Sequence, residues 1–239
     1  MTTLPRASAQ EWGALYRAGA VSAAVAVVLY LAALVMVAVT EAPPESGGTD
    51  LLEYVGAHRT GYIVRQVLWT VPNLFLLVVF LALAVALRGH GRSLAAVAGL
   101  VAVTSWAVPF AWPTTGDGSL AMVLLSDRYA DAASAAERAS YVAGAEVMDA
   151  LNDVPAVIGV LQTLGVLLVA LLMLRGTFTR GLAWLGVVTG VVGIASEVLR
   201  PVLGGAYAVY GVLLFVWLGW VAVALWRLAG SVAEPRTRD

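Results

Sequence analysis

The chain has 239 residues, of which 61% are hydrophobic and 12% are charged, and its formal net charge at pH 7 is −1. A net charge this close to zero argues against a nucleic-acid partner, and the absence of cysteine excludes a disulfide framework, an iron–sulfur cluster and thiol catalysis. All 14 basic residues are arginine, so a retinal Schiff base and a lysine nucleophile are excluded as well.

Six apolar segments follow one another along the chain, each close to the length of about 20 residues that a helix needs to cross a bilayer. They cover approximately residues 18–40, 62–87, 94–112, 155–174, 181–200 and 205–228. The apolar core of the first segment is longer than that of a typical signal peptide, so we interpret it as an uncleaved helix. The sequence therefore predicts an all-α polytopic membrane protein, a six-transmembrane-helix bundle that forms a single domain over residues 1–239 in the lipid bilayer.

The arginines divide unequally between the two sides of this topology. Nine lie on the side that holds both termini: Arg6, Arg17, Arg88, Arg92, Arg175, Arg180, Arg227, Arg236 and Arg238. Five lie on the other side: Arg59, Arg65, Arg128, Arg138 and Arg200. Because arginine is enriched on the cytoplasmic side, we expect both termini to be cytoplasmic, in a bacterial cytoplasmic membrane. The histidines, His58 and His90, then fall on opposite sides, and we expect no metal and no cofactor.

The two long loops on the outer side, residues 41–61 and 113–154, each contain a helix-start pattern. In the first loop Asp50-Leu-Leu-Glu53 resembles a capping box, and in the second Ser134-Ala-Ala-Glu137 is a better match. We predict that the second of these helices runs through Asn152–Pro155 toward the fourth apolar segment. Both outer loops are therefore expected to contain a short helix.

Residues 54–89 and 141–176 resemble each other. Tyr54-Val55 recurs as Tyr141-Val142, and at the same offset Leu87-Arg88-Gly89 recurs as Leu174-Arg175-Gly176. A parallel repeat of two hairpins would explain both matches and is one of the plans that transporters use. Chance explains them equally well in a chain so rich in leucine, valine and alanine.

Polar side chains within or beside the apolar segments are the candidate site residues, because such groups are costly in hydrocarbon. Eight of them are predicted to bind a ligand: Arg65, Gln66, Trp69, Asn73, Asp149, Asp153, Glu197 and Arg200. If the protein is catalytic, Asp153 and Glu197 are the candidate acids. We predict that Gln66, Asn73, Asp153 and Glu197 face the interior of the bundle on its outer half.

Each candidate also has a purely structural interpretation. Gln66 and Asn73 are seven residues apart on one helix face, where they would line a cavity or bond a neighbouring helix. Asp149 and Asp153 continue an acidic stripe that is either a cation site or an ordinary solvated face. Glu197 would pair with Arg200 one turn away, or with Arg65 across the bundle. We expect Arg65 to pair with Asp153 or Glu197, because an unpaired buried charge is costly.

A face of small residues runs along the fifth apolar segment at Gly186, Gly190 and Gly193. Such a face allows close helix packing, either in a homodimer or within one chain. We favour packing within the chain, and the sequence is compatible with a monomer or a homodimer.

Glycine and aromatic spacings in the final third of the chain resemble those of a bacterial membrane family. They are Leu182-Ala-Trp184-Leu-Gly186 through Gly190, Leu213-Leu-Phe215-Val-Trp217 and Ala224-Leu-Trp226-Arg227. The family is domain of unknown function four-three-eight-six, whose six helices, long first and second outer loops and tight cytoplasmic turns are similar to the plan predicted above. The resemblance implies no activity and no site residues, because none is established for the family.

These residues are compatible with three alternative functions. A non-enzymatic membrane protein would bind a small or lipidic molecule, or a protein partner, in a cavity on the outer side, and needs only a pocket. An intramembrane enzyme, terpene-cyclase-like or lipid-modifying, would use Asp153 or Glu197 as a carboxyl at the membrane edge. A small secondary transporter would need broken helices, which Pro72 and Pro109 suggest, and a charged site at the midplane. We favour the first function.

Overall fold

The computed structural model describes residues 12–44, 47–111, 114–115, 118–153 and 157–233, and almost all of them are helical. In chain order the helices are α1 (Gly13–Val39), α2 (Gly48–Ala57), α3 (Arg59–Thr70), α4 (Pro72–Leu87), α5 (Arg92–Ala111), α6 (Ala121–Asp131), α7 (Ala135–Asp153), α8 (Val157–Met173), α9 (Arg180–Val198), α10 (Arg200–Leu203) and α11 (Ala208–Ala233). Short 3-10 turns cover Arg88–His90 and Gly204–Tyr207. A two-residue antiparallel ladder pairs Thr114–Thr115 with Gly118–Ser119.

Six helices form a closed ring. They pack in the order α1, α4, α5, α8, α9 and α11, and α11 returns to pack on α1. Short connections join α4 to α5 and α8 to α9, so these neighbours run in opposite directions, as in an up-and-down bundle. Aromatic side chains fill the interior, where Phe80 lies between Trp106 and Trp217 at ring-centroid distances of 6.2 and 6.1 Å.

Three short helices, α2, α6 and α7, pack on one another and form a separate cluster that we name the cap. Leu52 and Val55 from α2 and Met122 from α6 are buried in its core. The hydroxyl of Ser126 also joins α6 to α2, because it donates a hydrogen bond of 2.6 Å to the carbonyl of Leu52. The cap lies at the end of the ring where α1 ends and α3 begins, which we name the cap end.

The prediction of an all-helical bundle is confirmed, and five helices are long and apolar enough to cross a membrane. They are Gly13–Val39, Arg59–His90, Arg92–Ala111, Arg180–Val198 and Ala208–Ser231. The fourth predicted segment corresponds to α8, an apolar helix of 17 residues. Pro72 separates α3 from α4 by a turn at Val71, whereas Pro109 lies in the last turn of α5 and does not interrupt it.

The two capping-box predictions have different outcomes. Helix α2 begins at Gly48, directly after Gly47, whose φ of 99° turns the chain. Asp50 therefore lies inside the first turn, and its assignment as the helix cap was wrong. The second prediction is confirmed, because the amide of Glu137 donates a hydrogen bond of 3.2 Å to Oγ of Ser134. Pro155, where α7 was expected to meet the fourth segment, lies outside the described residues.

The glycine face of α9 is covered within the chain. A Cβ atom on Gly190 would lie 2.6 Å from Cβ of Leu167 in α8, and one on Gly193 would lie 2.7 Å from the ring of Tyr210 in α11. Glycine is required at these positions because the helices approach one another closely. The structure thus uses this face for packing within the chain, which is the interpretation favoured from the sequence.

Candidate functional site

Glu197 occupies the most unusual environment among the charged residues. It lies next to the end of α9, and its side chain is only 5% exposed. Its carboxylate contacts Gly159 in the first turn of α8, where any larger residue would occupy the same space. The hydroxyl of Tyr207 donates a hydrogen bond to Oε1 of this carboxylate. Oε2 has no hydrogen-bond partner among the residues that the structure describes.

The electrostatics of this position explain how a buried acid is accommodated. The carboxylate faces the beginning of α8, where the helix dipole places partial positive charge. Tyr207 remains a donor, because burial and then the nearby Glu197 carboxylate raise the pKa of its phenol above the ordinary value of 10.0. The guanidinium of Arg200 lies over the Tyr207 ring, 5.5 Å from its centroid, and forms a cation–π contact.

The two ion pairs considered for Glu197, with Arg200 or with Arg65, are not formed. Within the described part of the chain, neither Arg65 nor Arg200 forms a salt bridge with this carboxylate. The physical reason is that α9 ends at Val198 and Arg200 begins the separate short helix α10, so the two residues no longer lie on the face of one helix. The side chain of Asp153 is outside the described residues, and its contact with Arg65 stays a prediction.

Trp69 and Asn73 meet the tyrosine of a neighbouring helix. The hydroxyl of Tyr30 in α1 donates a hydrogen bond of 3.3 Å to Oδ1 of Asn73, and its ring lies 5.8 Å from that of Trp69. Asn73 is 7% exposed, so it faces the interior, as predicted, and bonds across to α1. The indole nitrogen of Trp69 is buried and has no hydrogen-bond partner among the described residues.

Aromatic contacts lie between these two places. Tyr207 and Tyr210 lie edge to face with their ring centroids 6.0 Å apart, and Tyr30 stacks on Phe215 of α11 at a centroid distance of 5.2 Å. The resulting series crosses the interior near the cap end, from α4 through α1 and α11 to α9. We name it the polar line, and it consists of Asn73, Tyr30, Tyr210, Tyr207 and Glu197.

The other candidates lie nearer the cap. Gln66 is 1% exposed and packs beside Gly118, whose Cβ position would be 3.0 Å from its amide nitrogen. Arg65 is 5% exposed and lines a pocket between the cap and the ring. Asp149 is half-buried in α7. The structure therefore brings Trp69, Asn73, Glu197 and Arg200 to the polar line and places Arg65 and Gln66 in a second region.

Sequence reasoning did not identify the three tyrosines of the polar line. Tyr30, Tyr207 and Tyr210 lie in or beside apolar segments, where a hydropathy count treats tyrosine as an apolar residue. Their hydroxyls are the signal that could have identified them, because a buried tyrosine usually finds a hydrogen-bond partner.

The described residues contain no group of three or more side chains suited to hold a metal ion. Comparison of the chain with known protein families, curated proteins and solved structures finds no match. The resemblance of the final third to an uncharacterised membrane family stays a prediction.

Proposed function

We propose that the chain is a multi-pass membrane protein that binds a small or lipidic molecule at the cap end of its helical bundle. Every helix of the ring presents large apolar side chains to the outside. The following six residues, one from each helix of the ring, are between 44% and 65% exposed: Val28, Leu81, Leu100, Leu171, Val191 and Val212. A continuous apolar belt of this kind is unfavourable in water and suits a lipid environment.

The ring supports six crossings, with the cap outside the cell. Helix α8 is about 25 Å long at 1.5 Å per residue, a little short of a hydrocarbon core of about 30 Å. It packs against α5 and α9, so it crosses with them. Arginine is concentrated at the end opposite the cap, at Arg88, Arg92, Arg175 and Arg180, which favours that end as the cytoplasmic one.

The buried carboxylate of Glu197 is the observation that carries the binding proposal. Buried polar atoms are nearly always hydrogen-bonded, and each exception requires an explanation. Oε2 of Glu197 is an acceptor in need of a donor, and the indole of Trp69 is a donor in need of an acceptor. A molecule with hydroxyl groups and an apolar body would satisfy both, while its body packs on the aromatic interior around Tyr30 and Phe215.

A neutral amphiphile, monooleoylglycerol, tests the proposal. Native mass spectrometry of the detergent-purified protein measures its dissociation constant in the wild type, Glu197→Gln and Trp69→Phe. A hydrogen bond to a charged group contributes about 1.5–3 kcal/mol, so we expect saturable binding that Glu197→Gln weakens at least tenfold.

Trp184→Phe is the matched control, because Trp184 is 57% exposed on the outer surface of α9. It should bind monooleoylglycerol as the wild type does, while Trp69→Phe weakens binding. Equal dissociation constants in all four proteins, or uptake of monooleoylglycerol without saturation, would contradict a specific binding site. Either result would indicate that the lipid partitions into the detergent shell.

A further inference from the structure

The end of the ring opposite the cap carries a strong excess of positive charge. It is formed by the described residues 12–20, 85–95, 172–183 and 222–233, which include six arginines and no aspartate or glutamate. The arginines are Arg17, Arg88, Arg92, Arg175, Arg180 and Arg227. Since a surface of one charge sign attracts molecules of the opposite sign, this end of the molecule is suited to an anionic partner.

These arginines differ in their partners within the protein. The guanidinium of Arg88 lies over the ring of Trp12, 4.7 Å from its centroid, and Arg175 donates a hydrogen bond of 3.1 Å to a backbone carbonyl. Arg180 and Arg227, by contrast, are exposed and form no hydrogen bond or salt bridge with the residues that the structure describes. Their guanidinium groups are therefore available to a ligand.

A groove lies between α9 and α11 at this end. The ring of Trp220 in α11 crosses onto the first turn of α9, where a Cβ atom on Gly181 would lie 3.0 Å from it. Both residues are exposed, Trp220 by 42%, so this contact is on the outer surface of the ring of helices. The absence of a side chain at Gly181 thus leaves a depression that has the indole of Trp220 as one wall.

The two free arginines lie at the end of this groove. Arg180 begins α9 and directly precedes Gly181. Arg227 is seven residues beyond Trp220, so the two share a face of α11. The helices run in opposite directions, because Gly193 of α9 packs on Tyr210 near the start of α11 and Gly181 packs on Trp220 farther along. Side chains tilt toward the N-terminus of their own helix, so Arg180 and Arg227 tilt toward each other along the groove.

Apolar side chains extend the surface of the groove toward the middle of the ring. Val188 and Val191 on α9 are 46% and 52% exposed, and Val216 on α11 is 55% exposed. An exposed apolar surface next to a pair of guanidinium groups matches the two parts of a phospholipid, its acyl chains and its headgroup.

We propose that this groove binds an anionic phospholipid of the leaflet opposite the cap. The phosphate lies between Arg180 and Arg227, since arginine forms two parallel hydrogen bonds with phosphate oxygens, and the acyl chains follow the valines of α9 and α11. Trp220 lies at the boundary between the two parts, as tryptophan does at membrane interfaces. The site shares only the membrane location with the proposed function, and it contains no residue of the polar line.

Binding of dioleoyl-phosphatidylglycerol to the detergent-purified full-length protein tests the proposal. Native mass spectrometry measures its dissociation constant, with dioleoyl-phosphatidylcholine and glycerol 1-phosphate as comparison probes. Hydrogen bonds to charged groups are the stronger ones, so we expect phosphatidylglycerol to bind roughly tenfold more tightly than either comparison probe. Arg227→Gln should remove most of this preference.

Arg92→Gln is the matched control for Arg227→Gln. Arg92 is also an exposed arginine at this end, and it has no hydrogen bond or salt bridge with the described residues. It belongs to α5, which packs on α4 and α8 and not on α9 or α11 in the ring. The loss of its charge should therefore leave the affinity for phosphatidylglycerol unchanged.

Trp220→Leu tests the groove without altering the charge of the protein. This substitution removes the wall beside Gly181, and we expect it to weaken phosphatidylglycerol binding roughly fivefold, as the loss of an aromatic contact does. Trp226→Leu is its control, because Trp226 is 57% exposed on another face of α11. It should bind phosphatidylglycerol as the wild type does.

Four outcomes would overturn the proposal. Equal affinity for phosphatidylcholine would remove the role of the anionic headgroup, and equal affinity for glycerol 1-phosphate would identify a site for the free anion. Equal weakening by Arg92→Gln and Arg227→Gln would indicate a general attraction to the basic end, and unchanged binding in Trp220→Leu would place the lipid elsewhere. None of these results depends on monooleoylglycerol, which is uncharged, so the failure of one proposal is distinguishable from the failure of the other.

Discussion

At the residue scale, a single glycine determines where the carboxylate of Glu197 can lie. Gly159 is in the first turn of α8 and leaves room for the carboxylate to approach the backbone closely. This approach places the negative charge beside the positive end of the helix dipole and within reach of the Tyr207 hydroxyl. Two dipoles thereby stabilise this buried carboxylate, which forms no salt bridge with the residues that the structure describes.

Gly159→Ala should consequently disturb Glu197 more than an ordinary helix substitution. The added methyl group would overlap the carboxylate and force it away from α8, at a cost of about 1–3 kcal/mol for overpacking. The unfolding midpoint in detergent measures this effect. Gly219→Ala is the control, since its Cβ atom meets nothing within 4 Å and alanine is the better helix former. A Gly159→Ala protein as stable as Gly219→Ala would contradict the described position of Glu197.

The sequence predicted the burial of polar side chains more accurately than it predicted their hydrogen-bond partners. Gln66, Asn73 and Glu197 are buried as expected, because the cost of exposing them to hydrocarbon follows from residue type and helix face alone. The partner of Glu197 depends on where α9 ends and how the following turn folds back. No local pattern in the sequence specifies that Tyr207, rather than Arg200, bonds the carboxylate.

At the scale of elements, the cap is a small helical cluster with a hydrophobic core of its own. Its core residues come from α2, α6 and α7, and Tyr62 of α3 is buried among them. The ion pair between Arg59 and Asp127, by contrast, lies on its surface. Exposed ion pairs contribute about 0–1 kcal/mol. The apolar contacts around Leu52 must therefore provide most of the stability of the cap.

Leu52→Ala should loosen the cap selectively. Leu52 is fully buried, and truncation of such a leucine costs about 2–5 kcal/mol, which is comparable with the stability of a small cluster. Hydrogen–deuterium exchange should accelerate in peptides from α2, α6 and α7 and remain slow in the ring helices. Leu124→Ala, at a residue of α6 that is 54% exposed, should leave exchange unchanged. Uniform acceleration across the whole protein would mean that the cap and the ring unfold as one unit.

The elements themselves were predictable to different degrees. Long apolar segments identified the helices of the ring, and Ser134 with Glu137 identified the start of α7. Helix α6 was missed, because its buried residues occupy a short stretch between turn-forming residues and its stability comes from contacts with α2 and α7. Such a helix depends on tertiary packing more than on its own propensity.

At the scale of the whole molecule, the closed ring explains why few polar groups remain inside. Each helix of the ring packs on two neighbours. Its inner side therefore buries apolar residues such as Phe80 and Trp217, and its outer side exposes others such as Val28 and Leu100. This arrangement gives the molecule two chemically different ends. One end carries the cap and the pocket at Arg65, and the other carries the short arginine-containing turns.

The proposed orientation makes these two ends distinguishable in cells. The chain has no cysteine, so single-cysteine variants react with a thiol reagent only at the introduced position. Ser93, in the first turn of α5, and Ala136, in the first turn of α7, are both exposed and lie at opposite ends of the molecule. Ala136→Cys should react with a membrane-impermeant maleimide in intact cells, whereas Ser93→Cys should react only after permeabilisation.

Each outcome of this labelling experiment has a definite meaning for the topology. Labelling of Ser93→Cys alone in intact cells would show that the orientation is the reverse of the proposed one. The cap would then lie in the cytoplasm, against the distribution of arginine. Labelling of both variants would mean that the two positions share the outer side, so that the number of crossings between residues 93 and 136 is even. The expected result requires an odd number of crossings. Among the described residues between these positions, α5 provides one, because it is long and apolar enough to span the bilayer.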